Sequence, residues 1–229
     1  MSSGRAWCLL LVLALPVLGG AATPIPAELK EALKPFRSEG SRGWAFTQTT
    51  RGEGKSQIET FDPALREFHR WVLIERDGRA PTPEDTQRYN ELQTRRSTAP
   101  NAPNVKDQID ETDCELLSDD GIRASWRFRL RATDKDDSSA EHMRATFTLH
   151  RPSATIERVE LSSFEPFRPV LGVSIAEAKT VIDYSLPEGD RPTLLQQVTM
   201  RIRGRAWLIK SMDQDLMVTY SNYTPIKRK

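Results

Sequence analysis

The sequence predicts an α+β fold in which two short helices cover the concave side of one strongly curved antiparallel sheet, a half-barrel of about ten or eleven strands. Two observations predict it. Most segments alternate apolar and polar residues with the two-residue period of a strand, whereas only two segments have the spacing of an amphipathic helix. A sheet of so many strands must curl or close, and a curled sheet has a concave face.

Residues 1–22 have the features of a secretory signal peptide. Arg5 precedes an apolar run from Trp7 to Leu18, and the small residues that follow suit cleavage. A retained transmembrane anchor is disfavoured because the run contains Pro16 and is short for a bilayer. We therefore expect residues 23–229 to form a single exported domain in the periplasm, without a transmembrane anchor.

The expected mature chain has neither a disulfide framework nor a net charge. Cys114 is the only cysteine of residues 23–229, so no intramolecular disulfide can form, and we expect it to be buried in a strand rather than reactive. Without Arg5, the 33 basic residues become 32, which equals the number of acidic residues. This balance gives no reason to expect a nucleic-acid partner.

The domain is predicted to begin with a helix and three strands. Residues 23–36 place Leu29, Leu33 and Phe36 at helical spacing. The three strands that follow cover residues 42–50, 55–63 and 71–76. On one face of the first strand lie Trp44, Phe46 and Gln48.

A polar helix is predicted after the third strand. A turn at Asp77-Gly78 precedes it, and Thr82 is placed to cap its N-terminus. The helix should run to about Arg96, and it offers only Tyr89 and Leu92 for packing. It is therefore either a plain surface helix or a movable cover over an apolar cavity.

The rest of the chain is predicted to be strands, after a Pro- and Asn-rich loop at about 97–110. Residues 121–132 alternate most clearly and should form a hairpin with residues 143–152. Further strands are expected over residues 155–167, 179–187, 194–212 and 215–223. Residues 174–180 fit either a strand or a single helical turn.

The sequence contains no recognised pattern for a metal, a nucleophile or a phosphate. Its three histidines are far apart and lack zinc-site spacing, and residues 172–176 lack the second glycine of a nucleophile elbow. His150 with Glu157 or Glu160 is an acid-base candidate, and a solvated surface pair is the alternative. We therefore predict no catalytic residue, no metal, no cofactor and no enzyme activity.

Arginines repeat on the polar sides of several strands. The candidate partner-binding residues are Arg127, Arg129, Arg201 and Arg203, with Arg131, Arg144 and Arg205 in the same pattern. If their strands are neighbours, they form a basic surface that could attract an anionic partner, a phospholipid head group or an acidic protein. The alternative is that they pair with acidic residues on adjacent strands.

Aromatic residues repeat on the opposite, apolar sides of the strands. The candidate ligand-binding residues are Trp44, Phe46, Trp71, Trp126, Phe128, Phe147 and Trp207. In a closed core these side chains would fill space, whereas in an open curved sheet they would line a groove for an acyl chain or an apolar peptide. The sequence leaves both possibilities open.

The order of these elements resembles the LolA/LolB-like superfamily of periplasmic lipoprotein carriers. A signal peptide and a short helix precede an aromatic strand that ends in glutamine, residues 44–48, and a covering helix and a long antiparallel meander follow. Short motifs at Phe61 to Pro63, Arg70 to Leu73 and Asp77 to Thr82 resemble those of uncharacterised proteobacterial exported proteins. No lipid-contacting residue of the family can be placed on a matching position.

The resemblance implies an incomplete barrel with helices over its open side. We therefore expect a monomeric, non-enzymatic periplasmic binding protein that takes an acyl chain, a lipid or a lipoprotein on the apolar face of the half-barrel. The alternative is an envelope scaffold or sensor that binds another protein through its arginine-rich strand face.

Overall fold

A computed structural model of the protein describes residues 24–38, 42–98, 104–132, 139–207 and 210–226. The expected signal peptide, residues 1–22, lies outside the described residues. The helices are α1 (Ala27–Leu33), α2 (Pro83–Thr98) and α3 (Val105–Gln108). The strands are β1 (Trp44–Gly52), β2 (Lys55–Phe61), β3 (Trp71–Arg76), β4 (Ile109–Asp119), β5 (Arg123–Leu130), β6 (Met143–His150), β7 (Thr155–Ser163), β8 (Val173–Ser185), β9 (Leu194–Ala206), β10 (Lys210–Ser211) and β11 (Gln214–Pro225).

All eleven strands belong to one antiparallel sheet. Their order is β3-β2-β1-β11-β9-β8-β7-β6-β5-β4, with β10 paired to β9 beside this path. The C-terminal strand β11 therefore joins the meander β1–β3 to the longer meander β4–β9, and β3 and β4 are the two ends of an unclosed sheet. The α+β class and the number of strands are confirmed. The curvature of the sheet into a half-barrel stays a prediction.

One local prediction needs correction, and one that was left open is decided. The described residues include a third helix, α3, within the stretch that was expected to be a loop. The side chain of Asn104 caps it by accepting a hydrogen bond from the Lys106 backbone N–H at 3.3 Å. Residues 99–103 of that stretch lie outside the described residues. The ambiguous residues 174–180 lie in strand β8.

One row of cross-strand partners shows which side chains share a face of the sheet. It runs Trp126, Phe147, Val159, Ile182, Val198, Val218, Thr50 and Gln57, from β5 to β2. Partners directly opposite each other point to the same side. We call this side the covered face, because α1 and α2 both contact it: Phe36, just after α1, meets Phe147, and Gln93 of α2 meets Glu59.

The core lies between α1 and the strands β5–β8 of the covered face. Leu29, Leu33 and Phe36 are buried against Phe147 and Tyr184. Full burial of each such side chain stabilises the fold by roughly 1.5–3 kcal/mol. The core therefore fixes α1 firmly on this half of the sheet.

Polar contacts also bind α1. Arg151 donates hydrogen bonds to Glu28 of α1 at 2.9 and 3.0 Å, and it pairs with Asp119 of β4. The Lys106 ammonium group donates to the carbonyl oxygens of Leu33 and Lys34 at 3.1 Å, where the helix ends. The two Lys106 contacts satisfy backbone carbonyl groups at the end of α1 that the helix itself leaves without partners.

Candidate ligand-binding site

A cavity of about 860 Å³ separates α2 from the covered face at strands β1–β3. The sheet lines it with Gln48, Phe61, Trp71 and Leu73, the segment between β2 and β3 with Leu65, Glu67, His69 and Arg70, and α2 with Thr86, Asn90, Gln93 and Thr94. Its volume falls in the range of about 300–1,000 Å³ that is typical of small-molecule sites. The cavity is thus large enough for a ligand with an extended apolar part.

The composition of α2 explains why this space is not filled. Thr86, Asn90 and Gln93 lie at helical spacing on the side that faces the cavity. Such side chains are too short or too polar to pack against an aromatic surface. Tyr89 is the only apolar side chain of α2 that is buried among those described, at 4% exposure. Leu92, which the sequence offered for packing, is instead 52% exposed.

A network around Asp85 holds the N-terminal end of α2. The Asp85 carboxylate accepts hydrogen bonds from the Thr82 backbone N–H at 3.1 Å and from Arg79 at 2.9 Å, and the Thr82 hydroxyl accepts from the Asp85 N–H at 3.1 Å. This is a reciprocal capping arrangement. The Thr82 backbone hydrogen bond is the main reason that the pKa of Asp85 is lowered to about 2. The predicted cap at Thr82 is confirmed.

Aromatic rings from four adjacent strands form a cluster beside the cavity. The Phe46 ring lies at its centre, 5.0 Å from Phe61, 5.7 Å from Trp71, and 5.6 Å from both Tyr220 and Tyr223. Edge-on and tilted pairs of this kind stabilise by roughly 0.5–1.5 kcal/mol each beyond their burial. Of these rings, Phe61 and Trp71 also line the cavity itself, and they form its aromatic wall.

A buried carboxylate lies next to this wall. Glu59 of β2 is only 2% exposed, and it accepts hydrogen bonds from the side-chain amides of Gln48 at 3.0 Å and Gln93 at 3.4 Å. In the part of the chain that the structure describes, no lysine, arginine or histidine forms an ion pair with it. Burial, and then the Glu59 charge, raise the pKa of Tyr220. Since an unpaired buried carboxylate destabilises a fold, its position points to a functional role.

The structure divides the seven aromatic candidates among four environments. Trp71 lines the cavity and Phe46 packs against it, whereas Trp126, Phe128 and Phe147 are in the filled core beneath α1. Trp44 lines a separate cavity of about 580 Å³ beside Phe36 and Tyr184. Trp207, at the end of β9, is 70% exposed. The aromatic residues on the covered face therefore include both core and cavity residues.

Of the residues that line the cavity, sequence reasoning predicted only Trp71 as a ligand contact. Four of the residues that it missed, in or beside the cavity, matter most for the chemistry of the site. They are Gln48, Glu59, Phe61 and Gln93. A signal for two of them was present. Gln48 lies two residues after Phe46 and Glu59 lies two residues before Phe61, so each is a polar residue on the same strand face as an aromatic one. Gln93 had no such signal, since it reaches Glu59 from a helix that is 34 residues away in sequence.

The candidate arginines pair with acidic residues of neighbouring strands. Arg127 lies 2.6 Å from Glu115 and Arg129 lies 3.0 Å from Asp113, both on β4. Arg201 and Arg203 share Asp215 of β11, at 3.4 and 2.7 Å, and the Arg203 hydrogen bond is the main cause that lowers the pKa of Asp215. These four residues therefore match the alternative of cross-strand pairing.

His150 contacts a hydroxyl but neither carboxylate proposed for it. Its Nδ1 lies 2.8 Å from the Ser153 hydroxyl, within the tight turn that follows β6. Glu157 pairs with Arg123 at 2.6 Å, and Glu160 pairs with Lys179 at 2.9 Å. Cys114 is buried in β4, and burial raises the pKa of its thiol. Across the described ranges, no cluster of histidine, cysteine and acidic residues is arranged to hold a metal ion.

Comparison with known proteins places the chain in no established group. No family model matches it, and no curated protein matches it. A solved structure, an isomerase-inactive variant of GphF DH1, aligns with 91% of this chain and 85% of its own at 11% sequence identity and a TM-score of 0.20. That score is too low to indicate a shared fold. Of the helices that the structure describes, none has the length and apolar character needed to cross a bilayer.

Proposed function

We propose that this protein is a non-enzymatic binding protein that takes the apolar chain of a lipid or a lipidated protein between α2 and strands β1–β3. The observation that carries the proposal is the cavity of about 860 Å³ with an aromatic wall beneath a polar helix. In this proposal the signal peptide exports the protein to the periplasm, and the sheet curves as a half-barrel around the ligand.

The weak attachment of α2 supports this role. A covering element that admits a ligand must move away at a small free-energy cost, and segments with few buried apolar contacts open most easily. Among its described side chains, α2 buries only Tyr89 and Asp85, whereas the much shorter α1 buries Leu29, Ala32 and Leu33. We therefore propose α2 as the movable cover and α1 as a fixed part of the core.

Two measurements test the proposal. Mass spectrometry of organic extracts from the protein purified from its native envelope should detect a co-purifying lipid. A fluorescent acyl probe should bind the lipid-free protein, and Trp71→Ala should weaken that binding at least about tenfold because the wall of the cavity loses its largest ring. Trp207→Ala is the matched control, since Trp207 lies on the surface at the end of β9.

The outcome that would overturn the proposal is the combined absence of a co-purified lipid and of probe uptake by the folded wild-type protein. The ion pairs of the described residues make the alternative, an envelope scaffold that binds through the arginine face, the less favoured proposal. Arg127, Arg129, Arg201 and Arg203 all have acidic partners, which reduces the charge available to an anionic partner.

A further inference from the structure

The buried Glu59 determines how two glutamines present their amide groups. An ionised carboxylate can only accept hydrogen bonds, so Gln48 and Gln93 must each turn an NH₂ group towards it. The Gln48 amide nitrogen lies 3.0 Å from Glu59 and 3.4 Å from the Thr50 hydroxyl, so both of its hydrogens have acceptors. The carbonyl oxygen of each amide then lies on the far side of the group.

Those two carbonyl oxygens are available to a ligand. Gln48 and Gln93 both line the cavity, one from the sheet and one from α2. Among the described residues, neither carbonyl oxygen accepts a hydrogen bond. An amide oxygen accepts hydrogen bonds, and a ligand in the cavity can supply the donor.

The charges and rings around these oxygens favour a cation. Glu59 lies directly behind both amides and has no cationic partner in the described part of the chain. The rings of Phe61 and Trp71 line the same cavity, and aromatic faces attract cations. The segment between β2 and β3 adds one acidic and one basic residue to the lining, Glu67 and Arg70, whose formal charges cancel. The Arg70 Nε donates a hydrogen bond to the Leu65 carbonyl oxygen at 3.2 Å. His69 is the remaining titratable group of the lining.

We propose that the cavity selects an apolar chain that ends in a primary ammonium group over the same chain ending in a carboxylate. This inference rests on the proposed function, because it names the ligand class of the same site. An ammonium group has three donors for the two amide oxygens and places its positive charge near Glu59 and the aromatic wall. A carboxylate has no donor and would meet two acceptors backed by a negative charge.

The test compares three probes with the same twelve-carbon chain: dodecylammonium, dodecanol and dodecanoate. Calorimetric titration at pH 7, with each probe below its micelle-forming concentration, should rank their affinities in that order. We expect the ammonium probe to bind at least about tenfold more tightly than the carboxylate, since charge-assisted hydrogen bonds are among the stronger polar contacts. Equal affinities, or a preference for dodecanoate, would overturn the inference.

Two variants test whether Glu59 causes the preference for the ammonium probe. Glu59→Gln removes the charge and frees the orientation of both amides, so the preference for ammonium should fall to less than about threefold. Glu115→Gln, a glutamate exposed on β4, is the matched control and should keep the wild-type ranking. If Glu59→Gln does not fold, the ranking by the wild-type protein still decides the inference. Binding of none of the three probes would count against the proposed function, whereas binding without discrimination would count against the ammonium site alone.

Discussion

Helices α1 and α2 lie on the same face of one sheet but are attached to it by different means. Beneath α1 the covered face is filled by close-packed side chains such as Phe147, which is fully buried. Beneath α2 the same face leaves a cavity of about 860 Å³. Among the described side chains of α2, Tyr89 is the only apolar one that is buried. The same face of the sheet is therefore close-packed under α1 and leaves a cavity under α2, where the strands and the helix both have polar side chains such as Gln48 and Gln93.

Within one sheet, the half under α1 supplies most of the packed core, and the half under α2 contains the candidate binding site. The half under α1 has the buried contacts that stabilise the domain, and the cavity of about 580 Å³ lies at its margin, beside Trp44 and Tyr184. The half under α2 has a buried carboxylate without a charged partner and polar side chains facing an aromatic wall. Sites that bind ligands commonly sacrifice packing in this way, because a filled cavity would have nothing to bind.

The largest effect is expected from a cavity made in the filled half. Phe147→Ala should lower the free energy of unfolding by about 3–5 kcal/mol, because Phe147 is fully buried and its ring contacts Phe36 and Phe128. Urea unfolding followed by far-UV circular dichroism measures the loss. A decrease smaller than about 1 kcal/mol would show that the α1 half is not the close-packed part of the protein.

A change in the anchor of α2 should act locally. Tyr89→Ala removes the buried aromatic side chain of the helix, so the opening of α2 should become at least about tenfold more frequent. Hydrogen exchange measured by mass spectrometry should rise over residues 83–95 and stay unchanged in β5–β7. Equal acceleration in both regions would mean that α2 unfolds only with the whole domain, which argues against a movable cover.

The attachment of α2 should also depend on acidity through Asp85. Its pKa is lowered from the ordinary 3.8 to about 2, so the ionised form stabilises the fold, and this contribution is fully present above pH 4 and is lost as the pH falls towards 2. Asp85→Asn should lower the Tm at pH 7, and the difference from wild type should shrink as the pH falls from 4 towards 2. Thermal unfolding across this range measures it. A difference that stays constant down to pH 2.5 would mean that the Asp85 charge plays no part.

Most of the fold follows from patterns that are local in sequence. The two-residue alternation in β5 and β6 is visible because consecutive strand residues point to opposite sides, whatever the rest of the chain does. The start of α2 is equally local, since Thr82 and Asp85 form their reciprocal cap within one turn. Helix α3 was missed because it spans only four residues, too few for a period to show.

The candidate site could not be predicted to the same extent, because it depends on contacts between distant segments. Trp71 and Trp126 both lie on strands that the sequence predicts, and only the tertiary arrangement decides that Trp71 lines a cavity and Trp126 fills a core. Similarly, Arg203 reads as a free surface charge until the strand order places Asp215 of β11 beside it. Side-chain alternation gives the face of a residue, but only the tertiary arrangement gives its neighbour.

The smallest effect is expected from replacing an exposed leucine of α2. It can be compared with the replacement of a buried leucine of α1, so that the same residue type is tested on both helices. Leu92 is 52% exposed, so Leu92→Ala should change the free energy of unfolding by no more than about 0.5 kcal/mol. Leu33→Ala is its counterpart on α1, where the buried side chain makes a loss of about 2–5 kcal/mol the expected result. Paired urea titrations of the two variants measure the difference. If Leu92→Ala were as destabilising as Leu33→Ala, α2 would have to bury Leu92 against the sheet, and the cavity beneath it would then be closed in solution.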